Sequence, residues 1–171
     1  MGDTIYIIGQ GIGIVAIALG FLTYQMKTRE KLVFMQVAVA MCFCLHYLMI
    51  GASSGLALNI LSVFRNGTYY FLGKKGPVDK KWAIFFSIVA GVIGVFSWQA
   101  WYSIFVVLGI VIHSYCISFS KAEHIRRSIL VTSPLVLIYD IFVLSIGGMV
   151  YESTAIVSSI IGELRFKKEK Q

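Results

Sequence analysis

Long apolar runs punctuated by short basic clusters set the pattern of this chain. Lysine and arginine fall into four groups: Lys27/Arg29/Lys31, Lys74/Lys75/Lys80/Lys81, Lys121/Arg126/Arg127 and Arg165/Lys167/Lys168/Lys170. Of the basic residues, Arg65 alone lies apart from them. About 40 nearly charge-free residues separate each group from the next. One membrane crossing takes about 20 residues at ~1.5 Å rise each. Each interval therefore predicts a helical hairpin that leaves one side and returns to it. The stretch Thr4 to Gln25 predicts one crossing more. Seven helices are expected, over about 4–25, 32–50, 55–73, 82–97, 100–119, 128–146 and 149–166. The expected hairpin tips are Gly51-Ala52-Ser53-Ser54, Ser97-Trp98-Gln99 and Gly147-Gly148, none with a basic side chain. Positive charge collects on the cytoplasmic side of a membrane protein, which puts the N-terminus outside and the C-terminus in the cytoplasm.

Composition agrees with that picture. Hydrophobic residues make up 58% and charged residues 13% of 171, and mean hydropathy is +0.82. Soluble domains run nearer ~45–50% apolar and ~25% charged, so a water-soluble fold would expose large apolar patches. The lipid bilayer is the expected partner. The net charge of +7 does not indicate nucleic acid, because the cations sit in short clusters between apolar runs. Cys42, Cys44 and Cys116 lie inside apolar runs and are expected as inert thiols. Met1-Gly2-Asp3 carries an acid where a signal peptide needs a basic segment, so the first apolar run is expected to stay as a spanning helix. Trp98, Trp101 and Tyr102 near one surface, and Trp82, Tyr69 and Tyr70 near the other, are expected as interfacial aromatic belts.

Seven crossings divide as three, one and three. A shift of 93 residues lays the first three expected helices on the last three, with Lys74-Lys75 on Lys167-Lys168, Gly55 on Gly148 and Asn59 on Glu152. A three-helix unit ends on the side opposite its start, so two fused directly would be inverted. A single intervening helix restores the direction and makes the units parallel, a plan used by transporters with a site near the midplane. The expected fold class is an all-α integral membrane protein: two parallel three-helix bundles joined by a linker helix. The units span 4–73, 82–97 (the linker) and 98–166, with 167–171 as a basic cytoplasmic tail. Gly9-xxx-Gly13, Ala16-xxx-Gly20, Ser87-xxx-Gly91 and Ala90-xxx-Gly94 predict close helix packing. Pro134 predicts a kink or local opening of the sixth helix.

Polar residues at membrane depth are the candidate chemistry. Arg65 lies roughly 15 Å below the expected outer tip of the third helix. A mid-membrane arginine costs at least about 2.5–3.5 kcal/mol on insertion scales, so it should face the interior and have a partner. Asp140 and Glu152 are the acids within reach. Two readings follow. In one, Arg65, Asp140 and Glu152 line a polar cavity, with Asn59, Asn66 and His46 adding hydrogen bonds to a polar solute. In the other, Arg65 and a carboxylate form a buried pair that locks the halves together. His113 is expected apart from this group as a helix–helix hydrogen bond, and Glu163 as an interfacial charge beside Arg165.

Other motifs carry no chemistry. Asn66-Gly67-Thr68 matches a glycosylation sequon but falls within the third helix. Gly9-Gln10-Gly11-Ile12-Gly13 follows no strand and lacks the G-x-G-x-x-G spacing that cradles phosphate. No His/Glu pair has metal-ligand spacing on a helix, and no serine sits in a nucleophile elbow. No enzyme activity, metal or cofactor is expected.

The chain resembles the bacterial YgjV-type inner-membrane family over nearly its whole length. Gly9-Gln10-Gly11-Ile12-Gly13, the loop Lys27–Lys31 followed by Gln36, and His46-Tyr47 before Gly51 carry the resemblance. It continues through Gly55, Asn59 and Arg65, and Ser145-Ile146-Gly147-Gly148 with Glu152 and Arg165-Phe166 is its most specific part. The three-one-three plan is more distantly similar to SWEET, PQ-loop and PnuC-type transporters. The Pro-Gln dipeptide of PQ-loop proteins is absent, and no binding residue is carried over from those families. The resemblance implies a location in the bacterial plasma membrane. The expected function is transport of a small polar metabolite by rocking of the two units. The alternative is a non-transporting receptor or assembly protein built on the same bundle, and a homo-oligomer is compatible with either.

Overall fold

The computed structural model describes residues 2–168; Met1 and 169–171, which include Lys170 of the basic tail, lie outside the described residues. Seven α-helices make up the fold: α1 (Gly2–Tyr24), α2 (Arg29–Ile50), α3 (Ser53–Gly73), α4 (Lys80–Phe96), α5 (Ser103–Cys116), α6 (Ala122–Phe142) and α7 (Ile146–Lys168). Among the described residues, only α1 and α2 are both long and apolar enough by themselves to cross a membrane. The others fall short for physical reasons. With 17 and 14 residues, α4 and α5 are short, and α3, α6 and α7 carry polar side chains that they bury inside the protein.

Helix ends follow local chemistry. Thr28 caps α2 by accepting from the Lys31 N–H, and Gly51 closes it in the left-handed conformation at φ 76°. Asp79 caps α4 by accepting from the Lys81 N–H at 2.9 Å. The two largest departures from the expected boundaries are at the ends of α6. α6 starts at Ala122, not near 128, because its basic first turns are amphipathic: Ile125 and Ile129 face inward while Arg127 pairs with Glu123 one turn back at 2.8 Å. The third tip is Val143-Leu144-Ser145, with Leu144 at φ 53°, so Gly147-Gly148 belongs to the first turn of α7. Ser145 caps that turn, its Oγ accepting from the Gly148 N–H at 3.0 Å.

Six helices close a ring. α1 packs on α2 and α2 on α3; α5 packs on α6 and α6 on α7; the α1–α7 and α3–α5 contacts join the two rows, and α4 lies outside against α5 and α3. Each run of three is thus a curved row, with no substantial contact between its first and third members, and not a closed three-helix bundle. α6 runs unbroken from Ala122 to Phe142 with Pro134 inside it.

The small residues divide into two kinds. A Cβ on Gly13 would lie 2.8 Å from the Gly147 Cα, and Gly20 faces the Tyr151 ring and Gly94 the Val107 side chain. A Cβ on Gly91 would meet nothing within 4 Å, so of the Ser87-xxx-Gly91 pair it is Ser87 that reaches α5, donating to the Val111 carbonyl at 3.1 Å. The outside is oily, with Phe64, Phe71 and Ile88 well exposed and Phe96 87% exposed. The inside combines an apolar core that includes Leu32, Leu58 and Ile125 with buried Gln36, His46, Arg65, Asn66, Asp140 and several serines. Soluble proteins rarely bury so many polar side chains beneath so oily a surface. Tyr69 is fully buried and donates to the Ser114 carbonyl at 3.1 Å, which removes it from the expected aromatic belt; Trp82, Trp98 and Trp101 are exposed. Cys42, Cys44 and Cys116 are free and half-buried.

At the basic end Arg29 ties three elements. Its guanidinium donates to the carbonyls of Phe119 (2.9 Å), Tyr69 (3.3 Å) and Ile117 (3.4 Å). A cation on these carbonyls completes the C-terminal end of α5. Arg29→Ala is expected to lower the unfolding free energy by about 1–3 kcal/mol. Thermal denaturation of the purified protein in detergent measures it, with Arg29→Lys intermediate.

Candidate functional site

A cavity of about 90 Å³ lies inside the ring. All six ring helices reach it: Tyr24 from α1, Gln36 from α2, Arg65 from α3, His113 from α5, Ser133 from α6 and Glu152 from α7. Its volume holds several water molecules and is below the ~300–1,000 Å³ of typical small-molecule pockets.

Arg65 is the central element and is 1% exposed. Its Nε donates to Asn66 Oδ1 at 3.0 Å and its Nη1 to Ser114 Oγ at 2.7 Å. Ser114 Oγ in turn donates to the Ile110 carbonyl at 2.6 Å, an i−4 bond that fixes its hydroxyl. Among the described residues Arg65 forms no ion pair with an acid, and its Nη2 has no hydrogen bond. The expected Arg–carboxylate lock is therefore not made. Glu152 shares the cavity wall with Arg65 but is not within ion-pair distance of it. Asn59 lines the wall as well and donates to the Gly55 carbonyl of its own helix at 2.9 Å.

Asp140 and His46 do not line this cavity and form a second buried cluster at the hairpin-tip end. Tyr47 donates to Asp140 Oδ1 at 2.6 Å, and Oδ2 is buried without a donor. His46 Nδ1 lies 2.8 Å from the Gly9 carbonyl and its Nε2 2.7 Å from Ser145 Oγ. A carbonyl only accepts, so Nδ1 carries a proton and donates to Gly9. This cluster joins α1 and α2 to the turn before α7. Its separation from Arg65 is set by rotation about the helix axes, which depth along the sequence does not encode.

One other position corrects the sequence expectation. His113 lies on the cavity wall, not apart from it, and its Nε2 is 3.4 Å from Gln36 Nε2 across the α2–α5 gap, the helix–helix contact expected of it. Glu163, at the basic end, pairs with Arg127 at 2.5 Å. Tyr24, Ser114, Thr132, Ser133 and Tyr151 were missed, because single hydroxyls in apolar helices carry no sequence signature. Among the described residues no three His, Cys, Asp or Glu side chains come together as metal ligands.

No curated protein and no solved structure matches the chain significantly. The family model Imp-YgjV, described as a bacterial inner membrane protein, matches residues 7–170. That match covers nearly every residue of the seven helices, so the chain belongs to the YgjV family of bacterial inner-membrane proteins.

Proposed function

We propose that this inner-membrane protein moves a small polar solute by alternating access, with the Arg65 cavity as the binding site. The observation that carries the reading is a buried guanidinium on the wall of a central cavity with no acid partner. Burying an uncompensated charge is expensive, and a solute with an acceptor or anionic end supplies the missing partner. Asn59, Asn66 and Glu152 complete a polar wall whose donors and acceptors suit a small polar molecule.

In this reading all seven helices cross the bilayer, with the basic ends of the helices on the cytoplasmic face and the N-terminus outside. α1–α3 and α5–α7 are parallel repeats and α4 is their linker. The packing supports that relation, because exchanging α1 with α5, α2 with α6 and α3 with α7 reproduces every contact of the ring. Two rows that pack on each other mainly at α1–α7 and α3–α5 can rock about those seams and open the cavity to alternate sides. A cavity of about 90 Å³ then corresponds to a closed state. The reading includes no chemical step on the solute.

Labelling tests this without knowledge of the solute. With Cys42, Cys44 and Cys116 replaced by serine, Ser133→Cys on the cavity wall is expected to react with a membrane-impermeant thiol reagent in both right-side-out and inverted vesicles. Reaction from neither side would mean a dry bundle and would favour a receptor or assembly role.

A further inference from the structure

At the basic end, a recess of about 550 Å³ opens between the α1–α2 link, the start of α6 and the end of α7. Six cations line it, Lys27, Arg29, Lys121, Arg126, Arg127 and Lys167, against two carboxylates, Glu123 and Glu163. We propose that this recess binds a phosphate group, carried by an anionic lipid headgroup or by a free phosphate compound. The proposal is independent of the transport reading, since the recess and the Arg65 cavity share no residue.

The acids do not neutralise the recess. Arg127 engages both, its Nη2 with Glu123 at 2.8 Å and its Nε with Glu163 at 2.5 Å. Arg29 is likewise consumed by its carbonyl contacts. Facing the space are Arg126, Lys121 and Lys167. Arg126 is the unusual member, only 3% exposed, with one hydrogen bond from Nη1 to the Met26 carbonyl at 3.1 Å and a buried Nε without any acceptor. The guanidinium stacks over the Phe166 ring at 4.8 Å, which fixes its plane as a wall of the recess.

A second feature points to the same ligand. The residue preceding α6, Lys121, makes no side-chain cap, and this 21-residue helix begins at the recess beside Arg126. A helix N-terminus with adjacent arginine and lysine forms a phosphate site. Segregation of positive charge to one side of the membrane explains the sign of the lining residues. It does not explain the concavity, the buried Arg126 or the uncapped helix. Basic recesses between helices at the cytoplasmic surface hold phosphate headgroups in other membrane proteins.

The test uses full-length protein in a neutral detergent at fixed ionic strength, with adducts followed by native mass spectrometry. The probes are dioctanoyl phosphatidylglycerol and inorganic pyrophosphate, and dioctanoylglycerol is the control without phosphate. A saturable adduct with either phosphate probe and none with dioctanoylglycerol is expected. Phosphatidylglycerol alone would assign a lipid headgroup, and pyrophosphate binding a free compound. The exposed pair Lys121→Gln/Lys167→Gln should weaken binding at least tenfold, whereas Lys74→Gln/Lys75→Gln, with the same charge loss outside the recess, should change it less than twofold. No adduct with either phosphate probe, or equal weakening by the two double variants, overturns the proposal.

Discussion

Arg65→Met is expected to reduce solute flux in proteoliposomes at least 100-fold while leaving the protein folded, with Tm changed by only a few degrees. Breaking a buried ion pair normally costs about 3–5 kcal/mol because the abandoned partner stays charged. Here no carboxylate pairs with Arg65, so its removal leaves no orphaned ion. Ser114 keeps its bond to the Ile110 carbonyl. Asn66 Oδ1 loses a donor, at about 1–3 kcal/mol, and that is offset by removal of a charge that costs about 2.5–3.5 kcal/mol at mid-membrane depth. Binding has no such compensation. Charge-assisted hydrogen bonds contribute about 1.5–3 kcal/mol each, and two of them to a solute correspond to roughly 100-fold or more. Transport assays against a metabolite panel, paired with thermal denaturation, measure both halves. Full flux in a folded Arg65→Met protein would remove the guanidinium from the mechanism. A protein that unfolds instead would make Arg65 a structural residue.

The number of helices and much of the cavity were legible in the sequence. Charge clusters mark helix ends because solvation of a lysine is costly to give up, and that rule depends only on position along the chain. Arg65, Asn66, Asn59 and Glu152 were found for the same reason, as polar groups at apolar depth, and they do line one cavity. Asp140 and His46 satisfied the same criterion and went elsewhere. Residues at equal depth on different helices meet only if their helices are rotated to face each other, and rotation depends on packing. Gly147-Gly148 misled in another way. Paired glycines read as a turn, but here one is a packing contact and the other lies against Ser145 and Asp140 inside a helix. The turn is made instead by Leu144 with a positive φ, a conformation that a branched aliphatic residue rarely adopts.

That packing contact is the basis of the largest expected loss of stability, from Gly13→Val. A Cβ at position 13 would lie 2.8 Å from the Gly147 Cα and 3.3 Å from His46 Nδ1. The first neighbour is backbone and cannot rotate away, so α1 and α7 must separate. Separation also strains the bonds that Gln10 makes across the seam, accepting from the Gly147 N–H at 3.0 Å and donating to the Leu144 carbonyl at 3.1 Å. Tyr6 donates to the same carbonyl at 3.0 Å. Overpacking a tight core costs about 1–3 kcal/mol, which is the expectation for Gly13→Ala, and the branched side chain of valine should exceed it. Gly11, two residues away in the same glycine-rich stretch, supplies the control. Its Cβ would meet nothing within 4 Å, so Gly11→Ala should be neutral or stabilise by up to about 1 kcal/mol through helix propensity. Thermal denaturation in detergent would measure all three. Because Gly13 and Gly147 share one contact, Gly13→Ala and Gly147→Ala should also combine non-additively. Equal effects at positions 11 and 13 would mean that α1 and α7 do not meet at these glycines, and the seam that closes the ring would have to lie elsewhere.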